Sequence, residues 1–145
     1  MKINTKQNGM RKGFTLVELL FVMAIIAILA GFAIANLKDS SKTAAINAMK
    51  NDARNAIAAQ QAYFAENQTY DSANGAGDEN GVLVGDNGAK FSISNNDSLV
   101  TDLKDCGDGT TGFTVKVTNP TNVPGKAVTY DSCTDGKIQF VDDNS

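Results

Sequence analysis

The chain has 145 residues, an ordinary apolar fraction and a formal net charge of −3, which suits one small globular domain plus one long helix. It contains no histidine and no tryptophan, so the usual general base and the commonest metal-binding side chain are missing, and hydrolase and zinc-site chemistry lose their key residue. Charge is unevenly spread. The first thirteen residues hold Lys2, Lys6, Arg11 and Lys12 and no acid, and beyond them nine basic residues face sixteen acidic ones, a balance of −7. From Asp71 onward there are twelve acids and five basic residues. Such a surface repels phosphate backbones, so no direct nucleic-acid binding is expected. It reads as a solvated acidic face that keeps a secreted protein soluble.

In chain order, the basic leader is followed by an apolar run from Leu19 to Ala35 that carries no polar side chain. Counted from Phe14 to Leu37 the segment is 24 residues long. At ~1.5 Å per residue that gives ~36 Å of helix, enough to cross a ~30 Å hydrocarbon core. The basic residues all precede it, which predicts a cytoplasmic N-terminus and a translocated polar domain. A secretory signal is cut after its apolar core, behind small residues, and no Ala-x-Ala-like site fits well beyond Leu37. The junction that stands out lies before the core, at Arg11-Lys12-Gly13-Phe14. Cleavage after Gly13 keeps the apolar segment, so the mature chain begins with its own membrane helix.

Glu18 is the odd residue of this segment. A carboxylate in a membrane span costs several kcal/mol unless it is paired or lies near the interface. One reading makes it an interfacial acid that starts the helix, where the dipole favours negative charge. The other gives it a cation, the new α-amine that cleavage would leave on Phe14, met between two staggered chains at low dielectric.

Lys12-Gly13-Phe14-Thr15-Leu16-Val17-Glu18-Leu19-Leu20 and the apolar run behind it resemble the signal sequence of type IV prepilins and type II secretion pseudopilins. The resemblance implies that a prepilin peptidase cuts after Gly13 and N-methylates Phe14. It implies that Glu18 neutralises a neighbour's amino terminus during assembly at the inner-membrane machinery. Many type IV pilins carry a glycine where Ala27 stands and a proline where Ala35 stands, and their helix melts between the two in the filament. Alanine at both positions, a strong helix former, predicts a more continuous helix here, weakened by Gly31 alone.

The helical pattern continues beyond the apolar segment. Ile46, Met49, Ala53, Ile57, Gln60 and Phe64 follow three- and four-residue steps with Ala45, Ala48 and Ala56 beside them, while Lys42, Asn47, Lys50, Asn51, Arg54 and Asn55 mark the other side. This predicts one helix from about Thr15 to Ala65 whose second half lays a small-residue stripe on a sheet. The segment Tyr63 to Tyr70 ends it, with aromatics that in similar pilin segments pin the following loop. Asp71 to Gly88 reads as a loop interrupted by Val82-Leu83-Val84. Its Asp71, Asn74, Asp78, Glu79 and Asn80 offer oxygen ligands for calcium, but turn chemistry accounts for the same residues and no metal or cofactor is expected. Strand signals follow around Phe91 and Ile93, at Phe113–Thr118, at Ala127–Tyr130 and at Lys137–Val141.

The fold class expected is α+β: a long N-terminal helix packed in its second half on a three- or four-stranded antiparallel sheet. The division is 1–13 leader, 14–37 membrane and filament-core helix, 38–66 amphipathic half of the same helix, and 67–145 globular head. Cys106 and Cys133, an even count beyond a membrane-targeting segment, suggest a disulfide in an oxidising compartment, with two free buried thiols as the other reading. A bridge there resembles the C-terminal disulfide-bounded region of type IV pilins, which type II major pseudopilins generally lack. The function implied is structural, not enzymatic: a homo-oligomeric filament subunit, held in the bacterial inner membrane as precursor and extracellular when assembled. A minor pilin or a secretion or competence pseudopilin is the alternative. A membrane-anchored enzyme explains neither Glu18 nor the Gly13–Phe14 junction, and no base–nucleophile set is visible.

Overall fold

A computed structural model of the chain describes residues 13–143. The basic leader residues Lys2, Lys6, Arg11 and Lys12 lie outside them. Among the described residues the elements are one helix, α1 (Leu16–Asn67), and seven strands: β1 (Ala73–Ala76), β2 (Val82–Val84), β3 (Lys90–Ser92), β4 (Ser98–Asp105), β5 (Thr111–Asn119), β6 (Val123–Asp131) and β7 (Gln139–Asp142). The chain divides after Lys38 into two compact units.

The first unit is the apolar stretch of α1. Leu16, Phe21, Ile26, Leu29, Phe32 and Leu37 are each more than half exposed, and the same holds all round the helix. Residues from Ala27 to Ala35 are helical, as expected of a stretch with alanine at both ends and no proline. The stretch is long and apolar enough to cross a membrane.

The second unit is the head with the rest of α1. Here Ala45, Met49, Ala53, Ala56 and Gln60 are buried at three- and four-residue steps, one face of a helix. Four of the five are short or unbranched, so the backbone can lie close to the sheet while Leu99, Phe113, Val115, Val117 and Val128 supply the bulk of the core. Phe64 does not join that face. It is exposed and stacks on Tyr70 with ring centroids 4.7 Å apart. Tyr70 leans on Phe113 and Phe113 on Tyr130, so an aromatic chain ties the end of the helix to the sheet. Gln68 takes a positive φ of 57° and its N–H donates to the Phe64 carbonyl, which closes the helix.

The main sheet has five antiparallel strands in the order β1-β4-β5-β6-β7, more than the three or four the alternation predicted. Phe91 belongs instead to a separate ribbon, β2 with β3, whose Phe91 and neighbouring Ala89 and Ile93 are buried in the same core. Two strands of this sheet were missed, β1 and β4, and β4 lies between β1 and β5. Its inward positions are Leu99 and Thr101, and Thr101 breaks the apolar alternation because its hydroxyl accepts from Gln60 Nε2 at 2.7 Å. The Ala-Asn-Gly-Ala sequence of β1 has little strand propensity and is held by its pairing with Leu99–Thr101.

The loop after the helix is organised by Asp71, which is fully buried. Its main-chain N–H donates to Gln60 Oε1 at 2.9 Å, and Gln60 Nε2 donates to its carbonyl. Its carboxylate accepts from the Asn87 main-chain N–H and side-chain amide and from the Ala89 N–H, all at about 3 Å. Burial raises this carboxyl's pKa, but the Ala89 and Asn87 donors outweigh it and hold the group below its ordinary value. The Asp78 carboxylate is likewise taken by the N–H groups of Asn80 and Val82. Of the carboxylates weighed for calcium, Asp71 and Asp78 therefore serve the backbone, and no metal-sized cluster of acidic or thiol ligands occurs among the described residues.

Asp71→Asn removes a charged acceptor and presents an NH₂ to N–H donors. It is expected to lower head stability by about 2–3 kcal/mol. Because the folded pKa is depressed, the stability Asp71 adds is present above its ordinary value of 3.8 and lost as pH falls through the lower folded value. The variant's denaturation midpoint should accordingly vary less than the parent's in acid, as measured on the full chain in detergent.

Candidate functional site

The residues singled out at the N-terminus, Gly13, Phe14 and Glu18, lie on either side of the point where helix begins. Gly13, Phe14 and Thr15 are not helical, and the first helical residue is Leu16. The Gly13–Phe14 bond therefore sits in backbone outside the helix. Phe14 is 90 % exposed, and among the described residues a side chain placed on Gly13 would meet nothing within 4 Å.

Thr15 is the residue that sequence reasoning passed over. It occupies the N-cap, and Glu18 is three residues on. The Thr15 main-chain N–H donates to Glu18 Oε2 at 2.8 Å, and the Thr15 hydroxyl donates to the same oxygen at 2.9 Å. In return the Glu18 N–H donates to Thr15 Oγ1 at 3.3 Å. This reciprocal pair is a capping box: each side chain satisfies a main-chain donor that the helix cannot. Its signature, Thr-x-x-Glu ahead of an apolar run, is legible in the sequence. Both readings of Glu18 thus have a physical basis. In the single chain the carboxylate starts the helix and is held in a fixed place, at the end where the dipole favours it. It also stays at the surface of the helix, where a cation from elsewhere can reach it.

Cys106 and Cys133 are bonded to each other, with Cα atoms 5.1 Å apart. The bridge joins the end of β4 to the turn after β6, far in the chain from Glu18. Gly112, the second residue of β5, lies directly beneath it. A Cβ there would come within 2.6 Å of Cys133 Sγ and 2.8 Å of Cys106 Sγ, so the position has room for hydrogen alone.

The Thr15 cap yields a direct expectation. Thr15→Ala removes the hydroxyl and should weaken the first turn by about 1 kcal/mol. Amide exchange of Leu16 to Leu19 in the full chain in micelles should quicken, and exchange unchanged from the parent would count against the cap.

Comparison with known proteins places this site. The family model described as the prokaryotic N-terminal methylation motif matches residues 8–34, which spans the junction, the cap and most of the apolar stretch. The type IV wide pilus major component PilA4 of Thermus thermophilus is 47 % identical over 64 residues, 42 % of this chain and 47 % of the relative, so the match spans about half the relative's length. No solved structure matches significantly. A methylation motif set on an uncovered apolar helix, a helix-and-antiparallel-sheet head and a relative that is itself a pilus component together support a type IV pilin.

Proposed function

We propose that this chain is a structural subunit of a type IV pilus, made as an inner-membrane prepilin, cut after Gly13, N-methylated at Phe14 and polymerised through the apolar part of α1. The observation that carries this reading is the methylation motif over residues 8–34 on a helix whose described apolar side chains are more than half exposed. Before assembly, lipid covers them, in a single pass with the N-terminus cytoplasmic. After assembly, the same side chains of neighbouring copies do. The subunit's work is packing, not catalysis, and its partners are a prepilin peptidase, the assembly machinery and copies of itself.

Several features support the individual steps. The Gly13–Phe14 bond lies outside the helix, next to an exposed Phe14, which suits a peptidase substrate. Cleavage leaves a terminal amine with an ordinary pKa near ~8, hence cationic at neutral pH. Glu18 supplies the opposite charge on the same exposed end. In the filament core a neighbour's amine replaces or joins the Thr15 donors at that carboxylate. The contact selects one axial stagger, because every other stagger leaves a carboxylate and an amine unpaired in an apolar core. The Cys106–Cys133 bridge favours a surface pilin over a secretion or competence pseudopilin.

Mass spectrometry of sheared fibres should find a chain that begins at N-methylated Phe14 and carries an intact Cys106–Cys133 bridge. A chain that begins at Met1 or Lys2 would return the reading to an uncleaved membrane anchor. Glu18→Ala should leave insertion and cleavage in place and reduce fibre number at least tenfold by electron microscopy. Fibres at parental number would remove Glu18 from the assembly step.

A further inference from the structure

Two carboxylates are buried against each other in the head. Asp52 projects from the buried face of α1 and is 4 % exposed. Asp97, in the connection from β3 to β4, is 1 % exposed. Asp52 is held on both oxygens by one residue of that connection: the Ser94 N–H donates to Oδ2 at 2.7 Å and the Ser94 hydroxyl to Oδ1 at 3.0 Å. Asp97 Oδ1 accepts from the Asn119 side-chain amide at the end of β5. Asn119 is itself oriented, because its Oδ1 accepts from the Asn122 N–H at 2.8 Å, which leaves its NH₂ for Asp97. Asp97 Oδ2 is then buried with no hydrogen-bond partner, and Asp52, held by Ser94 three residues earlier in the same connection, is the acid that interacts with Asp97.

That contact is not possible between two ionised groups without strong repulsion, and burial makes the repulsion worse. No lysine or arginine forms an ion pair with either acid among the described residues. One proton resolves the contact. It neutralises one acid and turns the orphan oxygen into a donor. We propose that Asp97 and Asp52 share a single proton, so that Asp97 Oδ2–H donates to the Asp52 carboxylate and clasps the β3–β4 connection to helix α1, and that the clasp loosens as the surroundings become alkaline.

The groups that face the pair come from three elements: Asp52 from α1, Ser94 and Asp97 from the connection, and Asn119 from β5. Burial pushes the Asp97 carboxyl up to about 7, with Asp52 adding to the rise and the Asn119 amide opposing part of it. The folded value lies above the ordinary 3.8, so the stability the clasp contributes is full below that ordinary value. It declines as pH rises toward about 7 and is gone above it. This is the reverse of the Asp71 dependence, which acts below the ordinary carboxylate range. The clasp weakens at the pH of neutral to mildly alkaline water, outside any cell.

The test uses the full chain in detergent micelles, with denaturant unfolding followed between about pH 4.5 and about pH 8. The parent's folding equilibrium should weaken by up to about two hundredfold across that window. Asp97→Asn copies the protonated acid: its Oδ1 still accepts from Asn119 and its NH₂ donates to Asp52. It should flatten the dependence and be at least as stable as the parent at the alkaline end. Equal slopes in parent and variant would overturn the proposal. Should Asp97→Asn not fold, carbon-13 carboxyl NMR of the parent decides. One aspartate titrating near neutral pH supports the clasp, and every aspartate titrating in the ordinary acid range overturns it. Calcium alone, added to the parent at the alkaline end, should leave stability unchanged; a rise would show that a cation bridges the pair and would also overturn it.

Discussion

Leucine, isoleucine and phenylalanine side chains between Phe14 and Leu37 are more than half exposed among the described residues. Each buried side chain of this kind contributes roughly 1.5–3 kcal/mol relative to exposure. A whole segment of them outweighs the ~5–15 kcal/mol that holds a typical domain together. The cover must therefore come from outside, and the chain is defined by which cover it has. Lipid and the helices of like copies are both apolar, so exchange between them changes little in hydrophobic free energy. In the proposed filament the choice of stagger would then fall to polar groups, and Glu18 is the acid among those side chains.

The head solves a different problem. Its helix face is built from alanines, which bring the backbone close to the sheet but bury little area each. What the face lacks in bulk it recovers in directed polar contacts: Gln60 to Asp71 and Thr101, Asp52 to Ser94, Asp71 to the Asn87–Ala89 segment. Such contacts stabilise modestly when made and cost more when broken, so they define one arrangement of loop and helix sharply. The acidic surface outside and the polar network inside are thus separate uses of the same residue type. Lys126 with Asp142 is an exposed pair of small consequence and Lys104 with Asp131 a half-buried one, whereas Asp52, Asp71 and Asp97 are structural.

The sequence disclosed features that follow from periodicity or from a local motif. The 3.6-residue recurrence of Ala45, Met49, Ala53 and Ala56 marked the buried face, and the clean alternation of Phe113 to Thr118 marked β5. It hid β4, because Thr101 is an inward residue chosen for a hydrogen bond to Gln60 and not for apolarity. It hid β1 because pairing, not propensity, makes that strand. Phe64 continued the helical period but fell outside the core, since the face turns away from the sheet where the helix ends. At the N-terminus the order of residues displayed Glu18 and the junction, while Thr15 was overlooked although its spacing to Glu18 is a recognised helix-start pattern. Asp52 and Asp97 could not be paired from sequence at all, because they lie on different elements and nothing local links them.

The position of the cap relative to the junction has a consequence for maturation. Thr15 and Glu18 both lie on the C-terminal side of the Gly13–Phe14 bond, and so does every hydrogen bond that begins the helix. Removal of residues 1–13 takes nothing from the first turn. In the proposed maturation, cleavage would exchange the basic leader for a single terminal amine four residues before Glu18 and would keep the Thr15–Glu18 contacts. The step toward assembly would then be a change in electrostatics next to a cap that is already in place.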